Sequence, residues 1–97
     1  MRKINNEEFN VLTKKEGIVL IDFYANWCGP CKMLTPVLEQ FAEKTAGEVE
    51  IYKVDVDENP ELCGQFNISS IPTLLFFPFF FLFLNVLLVS LSIFQRA

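Results

Sequence analysis

The sequence predicts an α/β fold. Two segments with strand character, an apolar run at residues 18–25 and an alternating segment at residues 49–56, occur between segments of helical periodicity. The tetrapeptide Cys28-Gly29-Pro30-Cys31 stands where the first run ends and a helical segment begins. Strands that alternate with helices are typical of βαβ units with right-handed crossovers, and 97 residues suffice for one small domain.

A predicted helix and a buried strand open the chain. Asn5 or Asn6 is a suitable N-cap, acidic residues follow in the first turn, and Gly17 lies near the end of the helix. The apolar face of this helix is predicted to contain Phe9, Val11 and Leu12. Residues 18–25 are too continuously apolar for a half-exposed strand, so we expect a central strand covered on both faces.

The longest predicted helix runs from about residue 30 to residue 46 and ends at Gly47. Its apolar positions recur at helical spacing, namely Leu34, Leu38, Phe41 and Thr45. Pro36 lies inside this segment and removes a backbone donor, so a kink is predicted there.

The remaining elements are shorter. Residues 49–56 alternate well enough for a strand. Asn59 is a predicted N-cap, with Pro60 in the first turn of a short helix that reaches Phe66. Residues 68–77 are predicted to contain the next strand.

The two cysteines of the tetrapeptide are suited to redox chemistry. At a helix N-terminus their sulfurs lie beside unpaired N–H groups and the positive end of the helix dipole, which favours the reactive thiolate. Three residues apart on a first turn, they are close enough to form a disulfide. A closed tetrahedral zinc site requires four cysteine or histidine ligands, whereas the chain has three cysteines and no histidine. A purely structural disulfide would constrain little chain entropy across so short a loop.

Charge is distributed unevenly along the chain. The net charge is −4, every acidic residue lies within residues 7–61, and no charged residue occurs between Glu61 and Arg96. An acidic domain without basic clusters lacks the positively charged surface that binds nucleic acid. The first residues contain no apolar h-region of a secretory signal, so a reducing cytoplasm is the expected compartment.

Three segments together resemble the thioredoxin family. They are Tyr24-Ala25-Asn26-Trp27-Cys28-Gly29-Pro30-Cys31-Lys32, Tyr52-Lys53-Val54-Asp55-Val56-Asp57 and Ser70-Ile71-Pro72-Thr73-Leu74. The resemblance covers residues 3–77, in the family's order and spacing, and the cysteine motif has the form of the reducing members. It implies a thioredoxin-like three-layer α/β/α fold and the reduction of protein disulfides, with electrons supplied by a thioredoxin reductase and no cofactor.

The resemblance also implies roles for four catalytic residues. Cys28, expected to be the more exposed cysteine, would attack a substrate disulfide, and Cys31 would resolve the mixed disulfide. Asp22 would be a buried general base for Cys31, with Lys53 as its partner. The alternatives are that Asp22 is a structural residue hydrogen-bonded to backbone and that Lys53 is an ordinary lysine at a strand edge.

Substrate contact is implied for Trp27, Gly29, Pro30, Ile71 and Pro72. Pro72 corresponds to the family's cis-proline, which would leave the backbone of Ile71 available to pair with an extended substrate. The alternative for Pro72 is a trans-proline at a strand start. Cys63 has no partner in the motif, and we expect a small buried apolar residue there, with regulatory oxidation as the alternative.

The resemblance ends at Phe77. Residues 78–97 are rich in Phe and Leu and contain no glycine and no acidic residue, so the final strand and helix of the family are absent as recognisable sequence. We therefore divide the chain into a thioredoxin-like domain at residues 1–77 and a hydrophobic tail at residues 78–97. The tail is either a membrane anchor or an aberrant C-terminus produced by a frameshift or intron read-through. In the second case the chain could be a truncated fragment without catalytic turnover.

Overall fold

The structure is a computed structural model that describes residues 1–78. This part contains four strands and three helices. In chain order they are β1 (Arg2–Lys3), α1 (Asn6–Leu12), β2 (Ile18–Tyr24), α2 (Gly29–Lys44), β3 (Val49–Asp55), α3 (Pro60–Gln65) and β4 (Thr73–Phe77). Of the predicted tail at residues 78–97, residues 79–97 lie outside the described residues. Among residues 1–78, no helix has the length and apolar composition that crossing a bilayer requires.

The strands of the described part form one mixed sheet in the order β1-β3-β2-β4. Strand β2 pairs in parallel with β3 and antiparallel with β4. Its five central residues are buried, which confirms the expected central strand. Strand β1 was not predicted, because a two-residue strand formed by Arg2 and Lys3 has no periodicity for a sequence pattern to detect.

The sheet has a helical layer on each face, as the α/β prediction requires. On one face, Phe9 of α1 and Leu62 of α3 pack with Val19, Ile21 and Phe23 of β2. The rings of Phe9, Phe66 and Phe77 meet edge to face there, with centroids 5.2–5.6 Å apart. Because side chains alternate along a strand, Leu20 and Asp22 point to the other face, where α2 packs. The three-layer arrangement is therefore confirmed.

Helix α1 begins with a complete capping box. The side chain of Asn5 accepts a hydrogen bond from the Glu8 N–H at 2.9 Å, and the Glu8 carboxylate accepts one from the Asn5 N–H at 3.2 Å. This confirms Asn5 as the N-cap. The predicted apolar face is wrong at Val11, whose side chain is 69% exposed, since Phe9 and Leu12 already fill the contact with the sheet.

We expect Asn5→Ala to lower the free energy of unfolding by about 1 kcal/mol, because the side-chain oxygen that accepts from the Glu8 N–H is lost, whereas the N–H of residue 5 can still donate to the Glu8 carboxylate. Urea titration followed by circular dichroism measures the change. Asn10→Ala is the matched control, since Asn10 is an exposed residue within the same helix. A loss in the control as large as that in Asn5→Ala would contradict the assignment.

The structure adds detail to α2, β4 and α3. Helix α2 ends at Lys44 rather than residue 46, and continues through Pro36, where the predicted kink stays a prediction. The strand predicted within residues 68–77, after Ser69 and Ser70, is β4 at Thr73–Phe77, because the preceding loop turns before it reaches the sheet. Asn59 is the N-cap residue of α3, but its side chain donates to the Asp55 carbonyl at 2.9 Å instead of capping the helix.

Candidate active site

The cysteine pair lies at the junction of β2 and α2. Cys28 is the N-cap of α2, with extended backbone angles, and Cys31 lies in the first helical turn. The two residues form a disulfide, with their Cα atoms 5.3 Å apart. Gly29 and Pro30 are the first two residues of the helix between them. The predicted pairing and its place at a helix N-terminus are both confirmed.

The helix N-terminus acts directly on the sulfur of Cys28. The Cys31 N–H donates to Cys28 Sγ at 3.2 Å, where an ordinary N-cap side chain would place an oxygen. This N–H and the positive end of the dipole of α2 stabilise negative charge on the sulfur. Once the disulfide is reduced, the same environment favours the thiolate of Cys28.

Both cysteines are buried, so exposure hardly distinguishes Cys28 from Cys31. Cys28 is 4% exposed and Cys31 is 3% exposed. Together with Ala25 they form a small apolar cluster. Side chains from β2, from the residue that follows β3 and from the loop before β4 pack against this cluster: Tyr24, Val56 and Ile71. Cys28 is buried by this packing. Cys31 is buried to the same extent by its position inside α2.

Asp22 is an acidic residue inside the sheet. It is 2% exposed, and its Oδ1 atom accepts no hydrogen bond from the residues that the structure describes. The alternative in which the backbone satisfies this oxygen is therefore not observed. Burial raises the pKa of the Asp22 carboxyl from its usual 3.8 to about 6, against the opposing effect of the positive charge of Lys53.

Lys53 lies on β3 directly across from Asp22 in the parallel register. Because β3 lies between β1 and β2, Lys53 is not on an edge strand of the sheet. The Nζ atom of Lys53 is 5.1 Å from the centroid of the Tyr24 ring, and the ion pairs formed within residues 1–78 involve other residues. Lys53 thus acts on Asp22 through its charge rather than through a close ion pair.

A cleft of about 320 Å³ adjoins the disulfide. Its lining includes Trp27, which precedes Cys28, and Ile71, which packs on the cysteine cluster. The Trp27 side chain is 70% exposed, and its Nε1–H donates to Asp57 Oδ2 at 2.9 Å. The Ile71–Pro72 peptide is cis, as the resemblance implied, so the trans alternative is wrong.

Five further residues that line this cleft were not predicted from the sequence as site residues. They are Val56, Pro60, Ile68, Ser69 and Ser70, to which Asp57 is added as the partner of Trp27. The sequence could have indicated them only by their position, because each one lies within three residues of a segment that resembles the family. No pattern within those segments distinguishes residues that face the cleft.

Cys63 also lines this cleft. It is a free thiol that packs against the main core as expected, but it is only partly buried. Burial is nevertheless the main cause that raises the pKa of its thiol, followed by the negative charges of Asp55 and Asp57. A raised pKa disfavours the reactive thiolate.

A cysteine pair that alternates between dithiol and disulfide carries two electrons, and in this α/β fold the pair lies beside a cleft. The class of protein so defined is a thiol–disulfide oxidoreductase. The family model for thioredoxin matches residues 1–79. The chain belongs to the thioredoxin family.

Curated relatives and solved structures agree with this assignment. The chain is 61% identical over 74 residues to a thioredoxin of Alicyclobacillus acidocaldarius, covering 76% of this chain and 70% of that protein. A solved structure of chloroplastic thioredoxin z has a TM-score of 0.75 and 40% identity, covering 80% of this chain and 70% of its own. For oxidised mitochondrial thioredoxin 3 of Saccharomyces cerevisiae the TM-score is 0.73 at 38% identity, with 78% and 72% covered.

Proposed function

We propose that this oxidoreductase reduces disulfide bonds of other proteins, with Cys28 as the nucleophile. The Cys28 thiolate attacks one sulfur of the substrate disulfide, and the other substrate sulfur leaves as a thiolate that takes up a proton. The Cys31 thiolate then attacks Cys28 Sγ and displaces the second substrate sulfur. Two electrons have passed to the substrate, and the protein is left as the Cys28–Cys31 disulfide.

One observation carries this assignment of the nucleophile. Cys28 Sγ accepts a hydrogen bond from the Cys31 N–H at the N-terminus of α2, and Cys31 Sγ has no equivalent interaction among residues 1–78. The charged form of a thiol is favoured where such a donor and the helix dipole meet. The nucleophile is therefore distinguished by electrostatics, since the two cysteines are almost equally buried.

Asp22 is the proposed base for the Cys31 thiol, and Lys53 is its proposed electrostatic partner. Burial supports this role because a carboxyl with a pKa of about 6 is ionised at neutral pH and is a stronger base than an ordinary aspartate. The positive charge of Lys53 opposes the effect of burial on the pKa of Asp22 and so favours the ionised carboxylate at neutral pH.

The proposed substrate contacts surround the cleft beside the disulfide. Trp27 and Ile71 line it, and Gly29 and Pro30 form the helix turn between the cysteines. The Ile71 N–H and C=O are proposed to pair with an extended substrate segment, with Pro72 holding the loop beside them. A substrate held in this way would present its disulfide to Cys28.

Partners and compartment follow from the same chemistry. Disulfide-containing proteins are the proposed oxidants, a thioredoxin reductase is the proposed source of electrons, and a reducing cytoplasm is the proposed compartment. The thioredoxin-like domain is proposed to end at residue 77. Membrane attachment through residues 78–97 stays a prediction from the sequence.

The expected result of an activity test is catalytic reduction of a model protein disulfide, with dithiothreitol or a thioredoxin reductase as the electron source. The chain in which both Cys28 and Cys31 are replaced by serine sets the background. Cys63→Ser is the matched control, since it removes a thiol that lines the same cleft. Activity of the full chain no higher than that of the double variant would contradict the proposal and would favour the truncated, non-catalytic fragment.

A further inference from the structure

The two faces of the sheet are covered unequally. Helices α1 and α3 pack on one face, whereas α2 is the helix that packs on the other within residues 1–78. Four strands spaced about 4.8 Å apart make a sheet roughly 19 Å wide, and one helix with its side chains covers about 10 Å. Helix α2 is therefore too narrow to cover the whole of this second face. A strip next to β4 has no helix over it among residues 1–78.

An apolar groove lies along this strip. One wall is formed by Leu34, Val37, Leu38 and Phe41 of α2, and the floor includes Leu20 of β2 and Leu74 of β4. The groove encloses about 210 Å³, and its lining exposes no polar surface. Two of its residues are still accessible, Val37 at 57% and Leu74 at 37%. We call the groove formed by the wall residues of α2 and the floor residues of β2 and β4 the α2–β4 groove.

We propose that residues 79–97 of the same chain occupy the α2–β4 groove. The chain leaves β4 at Phe77, three residues after Leu74 of the groove floor, and nineteen residues follow Pro78. Even at a helical rise this segment would reach about 28 Å, compared with about 24 Å for the sixteen residues of α2. Its length is therefore sufficient to follow the groove from end to end.

The composition of the segment matches that of the groove. Residues 79–95 carry no charge and consist mainly of Phe, Leu, Val and Ile. Burial of apolar residues against an apolar surface lowers the free energy, and a groove without polar lining has no hydrogen-bonding group that an apolar occupant would leave unpaired. The segment and the groove are complementary in this respect.

The structure argues for this occupant over a membrane or a second copy. Because Thr73–Phe77 forms β4, the charge-free run left for a bilayer begins at residue 79, and its seventeen residues to Gln95 would span about 26 Å as a helix, less than a hydrocarbon core of about 30 Å. A second copy would compete with a covalently attached segment, whose effective concentration is in the millimolar range.

Photo-crosslinking of the full chain tests the proposal. Val37 is replaced by p-benzoylphenylalanine, and the chain is prepared as an equal mixture of ¹⁴N and ¹⁵N forms. Crosslinked peptides are identified by mass spectrometry, in buffer and with phosphatidylcholine vesicles. Val11 carries the same label in the control, because it is also exposed but lies on α1, which packs on the opposite face of the sheet. Circular dichroism verifies that both labelled chains are folded.

The expected products join position 37 to a peptide within residues 79–97 of the same isotope, several-fold more abundantly than from position 11. Products of mixed isotope would identify a second copy as the occupant, and lipid adducts would identify the bilayer. Products of mixed isotope or lipid adducts would overturn the proposal. The proposal would also fail if no product with residues 79–97 formed, or if positions 37 and 11 gave equal yields.

A second measurement needs no label. We expect Val37→Glu to increase the rate at which chymotrypsin cleaves within residues 79–97 several-fold, because a carboxylate in the groove disfavours an apolar occupant. Val11→Glu introduces the same charge at a similarly exposed position outside the groove. Cleavage rates that are unchanged by Val37→Glu, or raised equally by both substitutions, would count against occupation of the groove.

Discussion

Cys28→Ser is expected to abolish disulfide reduction, whereas Cys31→Ser is expected to accumulate a covalent complex with the substrate. Removal of the nucleophile prevents the first attack, and turnover should fall on the order of 10³-fold or more. Removal of Cys31 leaves the first attack possible but deletes the thiol that resolves the mixed disulfide. Turnover assays and non-reducing gel electrophoresis with a model protein disulfide measure the two effects.

The matched control for both variants is Cys63→Ser, since Cys63 is a third thiol beside the same cleft. Its activity is expected to stay close to that of the unmodified chain, because the raised pKa of the Cys63 thiol disfavours the thiolate. Equal residual turnover in Cys28→Ser and Cys31→Ser, or trapping by Cys28→Ser in place of Cys31→Ser, would reverse the assignment of nucleophile and resolving cysteine.

Asp22→Asn is expected to slow the resolving step on the order of 10²-fold at neutral pH, because an amide cannot accept the proton of Cys31. In the unmodified chain the rate of this step should fall as the pH drops through about 6, where the Asp22 carboxylate becomes protonated. The variant should lack this inflection. Release of substrate from a preformed mixed disulfide, followed between pH 5 and 8, measures both effects.

The same substitution has a predicted effect on stability, and its sign follows from the raised pKa. Because the folded state binds the Asp22 proton more tightly than the unfolded chain does, stability is lost as the pH rises from about 4 through about 6. At pH 7 Asp22→Asn should therefore be more stable by about 3 kcal/mol, and most of this difference should be gone near pH 4. Urea titration at the two pH values measures it.

Glu39→Gln is the control for both Asp22 measurements, since it makes the same change in net charge at an exposed position of α2. It should alter neither the resolving rate nor the pH dependence of stability. An Asp22→Asn variant that retained the inflection near pH 6 would show that another group supplies the base.

Features governed by neighbours in sequence could be predicted from the sequence. The capping box of Asn5 and Glu8, the helix that begins at the cysteine motif and the continuously apolar β2 depend on interactions within a few residues. The position of Cys28 at the N-cap, and with it the electrostatic preference for a thiolate there, belongs to the same group. These interactions are largely complete once the local backbone is formed.

Features that depend on which strands become neighbours were decided by the tertiary structure. Only the pairing of β2 with β3 brings Lys53 opposite Asp22, and only the approach of Val56 and Ile71 buries Cys28 as deeply as Cys31. Asn59 likewise donates to the Asp55 carbonyl rather than capping its own helix. Burial, and therefore the raised pKa of Asp22, comes from residues distant in the chain, and no local pattern records how closely they pack.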